Sequence, residues 1–248
     1  LPDNQDELIR RVARVNKHTV VILSTGAPVV VNRWIRQVPA LLETWFDGEY
    51  IGTAITNVLL GKVNPSGKLP VTFPVSWKQE PIAVQNYRNN DSIDTYSEGL
   101  YVGYRHFDKE HIKPQFPFGF GLSYTSFKYG NLKITTDTTG GKLSADVSFT
   151  ITNTGKREGA EIAQVYVHEE NPQLDRPVKA LKGFARVDLK PGASKIVHVK
   201  LDRNAFHYYN PAKKAWVVDP ATFNILVGSS SENILLSGNV KWGKGNFK

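Results

Sequence analysis

The 248-residue sequence contains no cysteine. That excludes a disulfide framework and any thiolate metal site, and it fits a cytoplasmic or a periplasmic setting equally. No apolar run approaches the ~20 residues that a membrane-crossing helix requires. No basic segment followed by an apolar one opens the chain, so no secretory signal is visible. The first residues are Leu1-Pro2 rather than methionine, which reads as a processed product or one piece of a longer polypeptide. Acidic residues are the scarcer charge, 23 against 31 lysines and arginines, for a net charge of +8. Such an excess can mark a nucleic-acid or acidic-polymer partner. Here the basic residues form no dense block, so neither a nucleic-acid nor a membrane partner is expected. Apolar content of 40% and charged content of 22% are those of an ordinary globular protein.

Several site signatures are also missing. Gly61-Lys62-Val63-Asn64-Pro65-Ser66-Gly67-Lys68 looks like a phosphate loop, but its glycines are one residue too far apart. Leu69 also stands where a magnesium-binding hydroxyl belongs. Gly119-Phe120-Gly121 lacks the third glycine and the helix of a dinucleotide fingerprint. No Gly-x-Ser-x-Gly elbow occurs. The six histidines are scattered, and no metal site is expected. Asn90-Asp91-Ser92 is a glycosylation sequon, which by itself implies an exposed loop.

What is present changes character along the chain. Leu8, Ile9, Val12 and Val15 recur at helical spacing behind Asp3, a candidate cap. Thr19 to Leu23 is a β-branched run suited to a parallel strand buried on both faces. Ala40 to Phe46 reads as a second strand. Ile51, Ala54, Ile55, Val58 and Leu59 mark a second helix, stopped at Gly61. This order implies part of a parallel α/β sheet, too small to be covered on both faces by itself. From about residue 130 the period becomes two. Leu143 to Ile151 and Ala163 to Val167 alternate, with further strands expected at 180–189, 194–201, 214–218, 221–228 and 233–242. Roughly seven short alternating strands, with no cysteine pair, indicate a fibronectin-like sandwich.

Carboxylates are the chemistry-bearing residues. Glu43, Asp47, Glu49, Asp94 and Glu98 lie near strand ends or in loops. Ligands of open parallel sheets bind at the carboxyl ends of the strands. Ser24, Thr25 and Gly26 share that edge with Asp47 and Glu49, so Thr25, Asp47 and Glu49 are the candidates for a substrate cleft. Asp47 and Glu49 also sit where a helix N-terminus favours negative charge, and that reading stays open. Glu98 with Asp94 or Asp91 could set two carboxylates ~5–5.5 Å apart, the spacing of a retaining glycosidase.

Several long segments resemble family 3 glycoside hydrolases, in order and from end to end. Leu1 to Ile9 resembles a Leu-Pro-x-x-Gln-x-x-Leu-Ile stretch, and Val20 to Pro28 the next strand and turn. Trp45 to Gly52 is similar to an aromatic-Pro-Gly-Gln-Glu-x-Gly turn, with Asp47 in place of the proline. Gly61 to Pro74, Tyr96 to Arg105, Phe116 to Thr125 and Arg176 to Phe184 each match a family motif. The resemblance implies an N-terminal barrel with a nucleophilic Asp, an α/β domain supplying an acid/base Glu, and a fibronectin-like domain packed outside. It implies two-step retaining hydrolysis of β-glucosides without metal or organic cofactor, and weakly a secreted or periplasmic enzyme. The acid/base Glu of the family precedes the Leu-Pro-x-x-Gln stretch, so neither catalytic carboxylate falls within residues 1–248.

The expected fold class is therefore α/β followed by all-β. Residues 1–74 would complete an α/β sandwich domain, 75–128 would form a connector wrapping other domains, and 129–248 a fibronectin type III-like sandwich. The expected partner is the barrel-bearing N-terminal part of the same enzyme. The alternative is a carbohydrate-binding or interaction module acting through exposed Trp77, Trp216 or Trp242.

Overall fold

The computed structural model describes residues 1–81, 96–139 and 142–243. It divides into two compact units. One comprises residues 1–63 and 70–118, the other residues 64–69 and 119–248.

The first unit is α/β. Helix α1 (Gln5–Val15) follows two left-handed residues, Asp3 and Asn4. Asn4, not Asp3, takes the cap position, and it caps without a side-chain bond. Glu7 binds Arg10 at 3.0 Å and Arg11 at 2.9 Å, pairs set by helical spacing. Strands β1 (Val20–Leu23) and β2 (Ala40–Glu43) pair in parallel, with Leu23 beside Glu43. Val21 and Leu23 pack with Ala13, Val31, Trp34 and Val38 into a small core. Fully buried Trp34 satisfies its indole N–H by donating to Asp6 at 2.7 Å.

The other face of this sheet is open, as expected of a sheet too small to be covered on both faces by itself. Val20 is 45% exposed and Ile22 39%. Leu8, Val12 and Val15 of α1 are exposed too. Helix α2 (Ile51–Leu59) buries no residue fully, and Gly61 ends it with a positive φ of 67°. Further along, Phe73 and Phe116 form a bridge, and helix α3 (Tyr104–Lys109) buries Phe107.

The second unit is a sandwich. One sheet is β3 (Phe127–Asp137), β4 (Ser144–Asn153) and β7 (Ser194–Leu201), in the order β3-β4-β7. The other contains β5 (Gly159–Glu169), β6 (Ala180–Leu189), β10 (Thr222–Gly228) and β11 (Ile234–Lys241), in the order β11-β10-β5-β6. A separate hairpin joins β8 (Tyr208–Asn210) to β9 (Ala215–Val217). All pairings in this unit are antiparallel. Inward residues of both sheets meet in one core, with Phe149, Val165, Phe206, Phe223 and Ile225 at or near full burial. Trp242 is 3% exposed and belongs to that core, which removes it from the exposed tryptophans.

Central strand β5 also buries polar side chains, and each has partners. Gln164 donates to Gly119 O and Ser229 O and accepts from the Tyr166 hydroxyl. Gly119 has φ +79°, and a Cβ there would lie 2.1 Å from Gln164 Oε1. Glycine is needed here both for the turn and for the close approach.

Candidate functional site

The best-built polar arrangement on the first unit lies where the sequence places it, at the carboxyl edge of β1 and β2. Parallel pairing sets the two strand ends side by side, so their loops leave together. The Thr44 amide donates to Leu23 O at 2.9 Å, which continues the ladder one residue further. The next residue, Trp45, breaks it with a left-handed φ of 59°. That is why β2 stops at Glu43 and not at Phe46. A bulky side chain in this region costs about 1–3 kcal/mol, so the surroundings must impose it. They grip Trp45 from both sides. Its amide donates to Glu43 Oε1 at 2.9 Å, and its carbonyl accepts from the Ser24 hydroxyl at 2.9 Å. Its ring meets Phe73 edge-on at 6.0 Å.

Thr25 is half-buried beside Glu43. Its hydroxyl lies 2.9 Å from Ala27 O and 3.3 Å from Glu43 Oε2. Having one proton, it can serve either acceptor. Burial pushes the Glu43 carboxyl above its ordinary range, against the Trp45 amide and the Thr25 hydroxyl, which pull it down. Asp47 and Glu49 do not join this group. Both are exposed on the following turn and make no hydrogen bond or ion pair among the described residues. Neither caps α2, whose cap residue Tyr50 makes no side-chain cap bond. The carboxylate that the fold brings to Thr25 is Glu43, which the sequence offered only among several near strand ends. The available signal was its register, since Glu43 pairs with the last residue of β1.

Phe46 lies beyond Trp45, is 85% exposed and passes over Gly26. A separate polar recess of about 140 Å³ is lined by Leu1, Asn4, Asp6, Glu7, Arg10 and Arg33. Glu98 is half-buried, and its backbone carbonyl closes a turn with Tyr101. Asp91, Asp94 and the sequon Asn90-Asp91-Ser92 lie outside the described residues. Among the described residues no group of three or more His, Asp or Glu is placed to hold a metal ion. No helix among them is long and apolar enough to cross a membrane.

The state of Glu43 has a measurable sign. Because its folded pKa is raised, the folded chain holds the proton more tightly than the unfolded chain. Stability therefore falls as pH rises from the ordinary carboxylate value through the raised one. Glu43→Gln removes that loss and is expected to gain on the native chain between pH 4 and 7, by less than about 1 kcal/mol because the group is partly solvated. Denaturant midpoints of both chains at the two pH values read the difference. A gap that stays constant or reverses would count against a carboxyl raised by burial.

Residues 1–124 match the family model described as glycosyl hydrolase family 3 C-terminal domain, and residues 161–231 match the fibronectin type III-like domain. The chain belongs to glycosyl hydrolase family 3. It is 43% identical over 241 residues to the thermostable β-glucosidase B of Acetivibrio thermocellus, covering 97% of this chain and 32% of that protein. Among solved structures, the β-glucosidase of Kluyveromyces marxianus in complex with glucose superposes with a TM-score of 0.91 at 36% identity. That match covers 98% of this chain and 29% of the other. A β-glucosidase from Streptomyces venezuelae in complex with D-glucose gives a TM-score of 0.91 at 38% identity, covering 97% and 31%. This family 3 chain thus spans about a third of the length of its relatives and corresponds to their C-terminal part. Its α/β unit and fibronectin type III-like sandwich are the fold class that the sequence implies.

Proposed function

We propose that this chain is the C-terminal portion of a retaining, exo-acting β-glycosidase that removes terminal β-linked glucose. An N-terminal part carries the barrel, the nucleophilic Asp and the acid/base Glu. The Asp attacks the anomeric carbon while the Glu protonates the leaving oxygen, and the Glu then activates water to release the sugar. On this reading residues 75–128 are the connector that wraps the other domains, and the enzyme works outside the cytoplasm.

One observation carries the division of labour. Val20 and Ile22 leave one face of the sheet open to water, and Leu8, Val12 and Val15 leave apolar side chains of α1 open as well. Parallel sheets are stable with both faces covered, and open apolar faces of this kind are covered by further chain. Glu43, the half-buried carboxyl at the strand edge, accepts from the Trp45 amide and lies within reach of the Thr25 hydroxyl, so it suits holding a loop rather than displacing a leaving group.

The test is to assay p-nitrophenyl β-glucoside with the 248-residue chain alone and with a polypeptide bearing the barrel, and to weigh both samples under native conditions. The chain alone is expected to release no nitrophenol. The pair is expected to form one complex that does, with the β-anomer appearing first by proton NMR. Turnover by the isolated chain, abolished by Glu98→Gln, would overturn the assignment.

A further inference from the structure

The second unit carries an aromatic arrangement that its core does not use. Strands β8 and β9 form a short ribbon in which Tyr209 stands opposite Trp216. Alternation sends Tyr208 and Asn210 inward, where both are buried, and leaves Tyr209 and Trp216 on the outer side, 49% and 56% exposed. The His207 ring lies against Trp216 at 4.4 Å with the planes 33° apart, and Tyr209 meets the indole edge-on at 5.7 Å. The indole is thus propped in one orientation while much of it faces water. Cross-strand aromatic pairs stabilise a hairpin, but stabilisation alone does not require three rings grouped outside.

The charges around the rings are mainly positive. Lys182 Nζ donates to Asn204 O at 3.1 Å, beside Arg203, and both cations lie close enough to His207 to disfavour its protonation, after burial, the larger cause. Asp202 opposes them, yet its carboxylate is already engaged by the Asn204 amide at 2.8 Å and the Asn204 side chain at 3.1 Å. Arg203 Nε is buried and has no hydrogen-bond partner. Lys213 and Lys214 are exposed in the turn that joins the two strands. Arg176, the next cation inward, is ion-paired with Glu169 and stacked on Tyr208, so it takes no part.

We propose that the outer face of the β8–β9 hairpin is a binding site for an acidic saccharide, a pyranose face stacking on Trp216 and a uronate carboxylate meeting Lys182 and Arg203. An equatorial pyranose presents axial C–H bonds to an aromatic face, and a flat exposed indole suits that surface. A carboxylate at C6 extends sideways from the stacked ring toward the cationic rim, and charge-assisted pairing adds direction to a contact that stacking alone leaves loose. The site would hold an acidic polymer near the enzyme rather than cleave it.

The test compares two ligands with one skeleton, cellopentaose and its C6-oxidised uronate form, with a single-stranded oligonucleotide of equal charge as a third. Binding is followed by tryptophan fluorescence and calorimetry, on the chain alone and in complex with the barrel-bearing part. The uronate is expected to bind about tenfold more tightly than cellopentaose at 50 mM salt, and to weaken at 200 mM. Trp216→Ala is expected to weaken the uronate about tenfold while the chain stays folded at the assay temperature. Tyr209→Ser serves as a second probe of the same face. Arg203→Gln is expected to erase the preference for the uronate while sparing cellopentaose. Equal affinity for the two saccharides would sink the charge assignment. Uronate binding that ignores Trp216→Ala, or is matched by the oligonucleotide, would mean unspecific attraction to a basic chain.

Discussion

Asn153→Ala is expected to destabilise the sandwich by about 3–4 kcal/mol, a drop of roughly 10 °C in melting temperature. Asn153 ends β4 and is wholly buried, and its amide makes four hydrogen bonds. Nδ2 donates to Arg157 O at 2.7 Å and to Leu189 O at 2.9 Å. Oδ1 accepts from the Gly155 amide at 3.0 Å and the Thr125 hydroxyl at 2.6 Å. Leu189 ends β6 in the opposite sheet, so one side chain stitches the two layers together. Alanine would strand the Leu189 carbonyl in a dry interior, take the partner from the half-buried Gly155 amide and leave a cavity, and each such loss costs about 1–3 kcal/mol. Asn153→Asp keeps the acceptors and loses both donors, so it should be no better. Thr125→Val removes one bond and should cost about 1 kcal/mol. Thermal melts of the three variants decide the matter. An alanine variant no worse than Thr125→Val would mean that water replaces the lost amide.

Lys68→Met is expected to cost about 3–5 kcal/mol, whereas Arg186→Ala, which breaks an exposed ion pair, should cost less than about 1 kcal/mol. Lys68 Nζ lies 3.4 Å from Glu161 and 3.3 Å from Gly121 O, with both charged side chains nearly inaccessible. Tyr129 donates its hydroxyl to the same carboxylate at 2.8 Å. Burial first, and the Glu161 charge second, push the Tyr129 phenol upward, so it remains the donor across the physiological range. Removing the ammonium would leave Glu161 as a buried anion with one neutral donor. The penalty lies in the orphaned charge rather than in the lost contact. The triple change Lys68→Met, Glu161→Leu, Tyr129→Phe should therefore recover most of the loss. Denaturant titration of the single and triple variants tests this, and a triple variant no more stable than Lys68→Met would refute it.

How much was legible in the sequence depended on whether a residue's role was periodic or positional. Period-two alternation locates β6 and β7 at the residues observed, because Ala185, Val187 and Leu189 of β6 and Val197, Val199 and Leu201 of β7 meet the core at alternate positions. It does not locate β3. Phe127 and Tyr129 lie on one parity and Leu132 and Ile134 on the other, because a bulge with Asn131 at φ 55° intervenes and shifts the register. Alternation read as a single run fails across such a shift. The three residues of β8 are too few to alternate detectably. Trp242 shows the same boundary at the level of one residue, since nothing near it distinguishes a core tryptophan from a surface one.

At the β1–β2 edge, chain direction and strand order were enough to place Thr25. They could not choose among Glu43, Asp47 and Glu49. That choice was made by Trp45 turning left-handed, which holds Glu43 at the edge and sends the later carboxylates outward. Left-handed backbone at a tryptophan is not a preference of the residue. It follows from contacts with Ser24 and Phe73, which are distant in sequence.

The six residues 64–69 have a consequence for how the protein is made. They belong to the sandwich unit but are synthesised among the residues of the α/β unit. Asn64 donates to Glu158 O, 94 residues further along. At a translation rate of about 5–20 residues per second, that partner emerges roughly 5–20 s after Asn64. Through that interval Asn64 waits for Glu158 and Lys68 for Glu161, and the two units cannot mature strictly one after the other. A gene fusion that borrowed residues 119–243 as a ready-made module would leave this stretch behind, and with it the cation that neutralises Glu161.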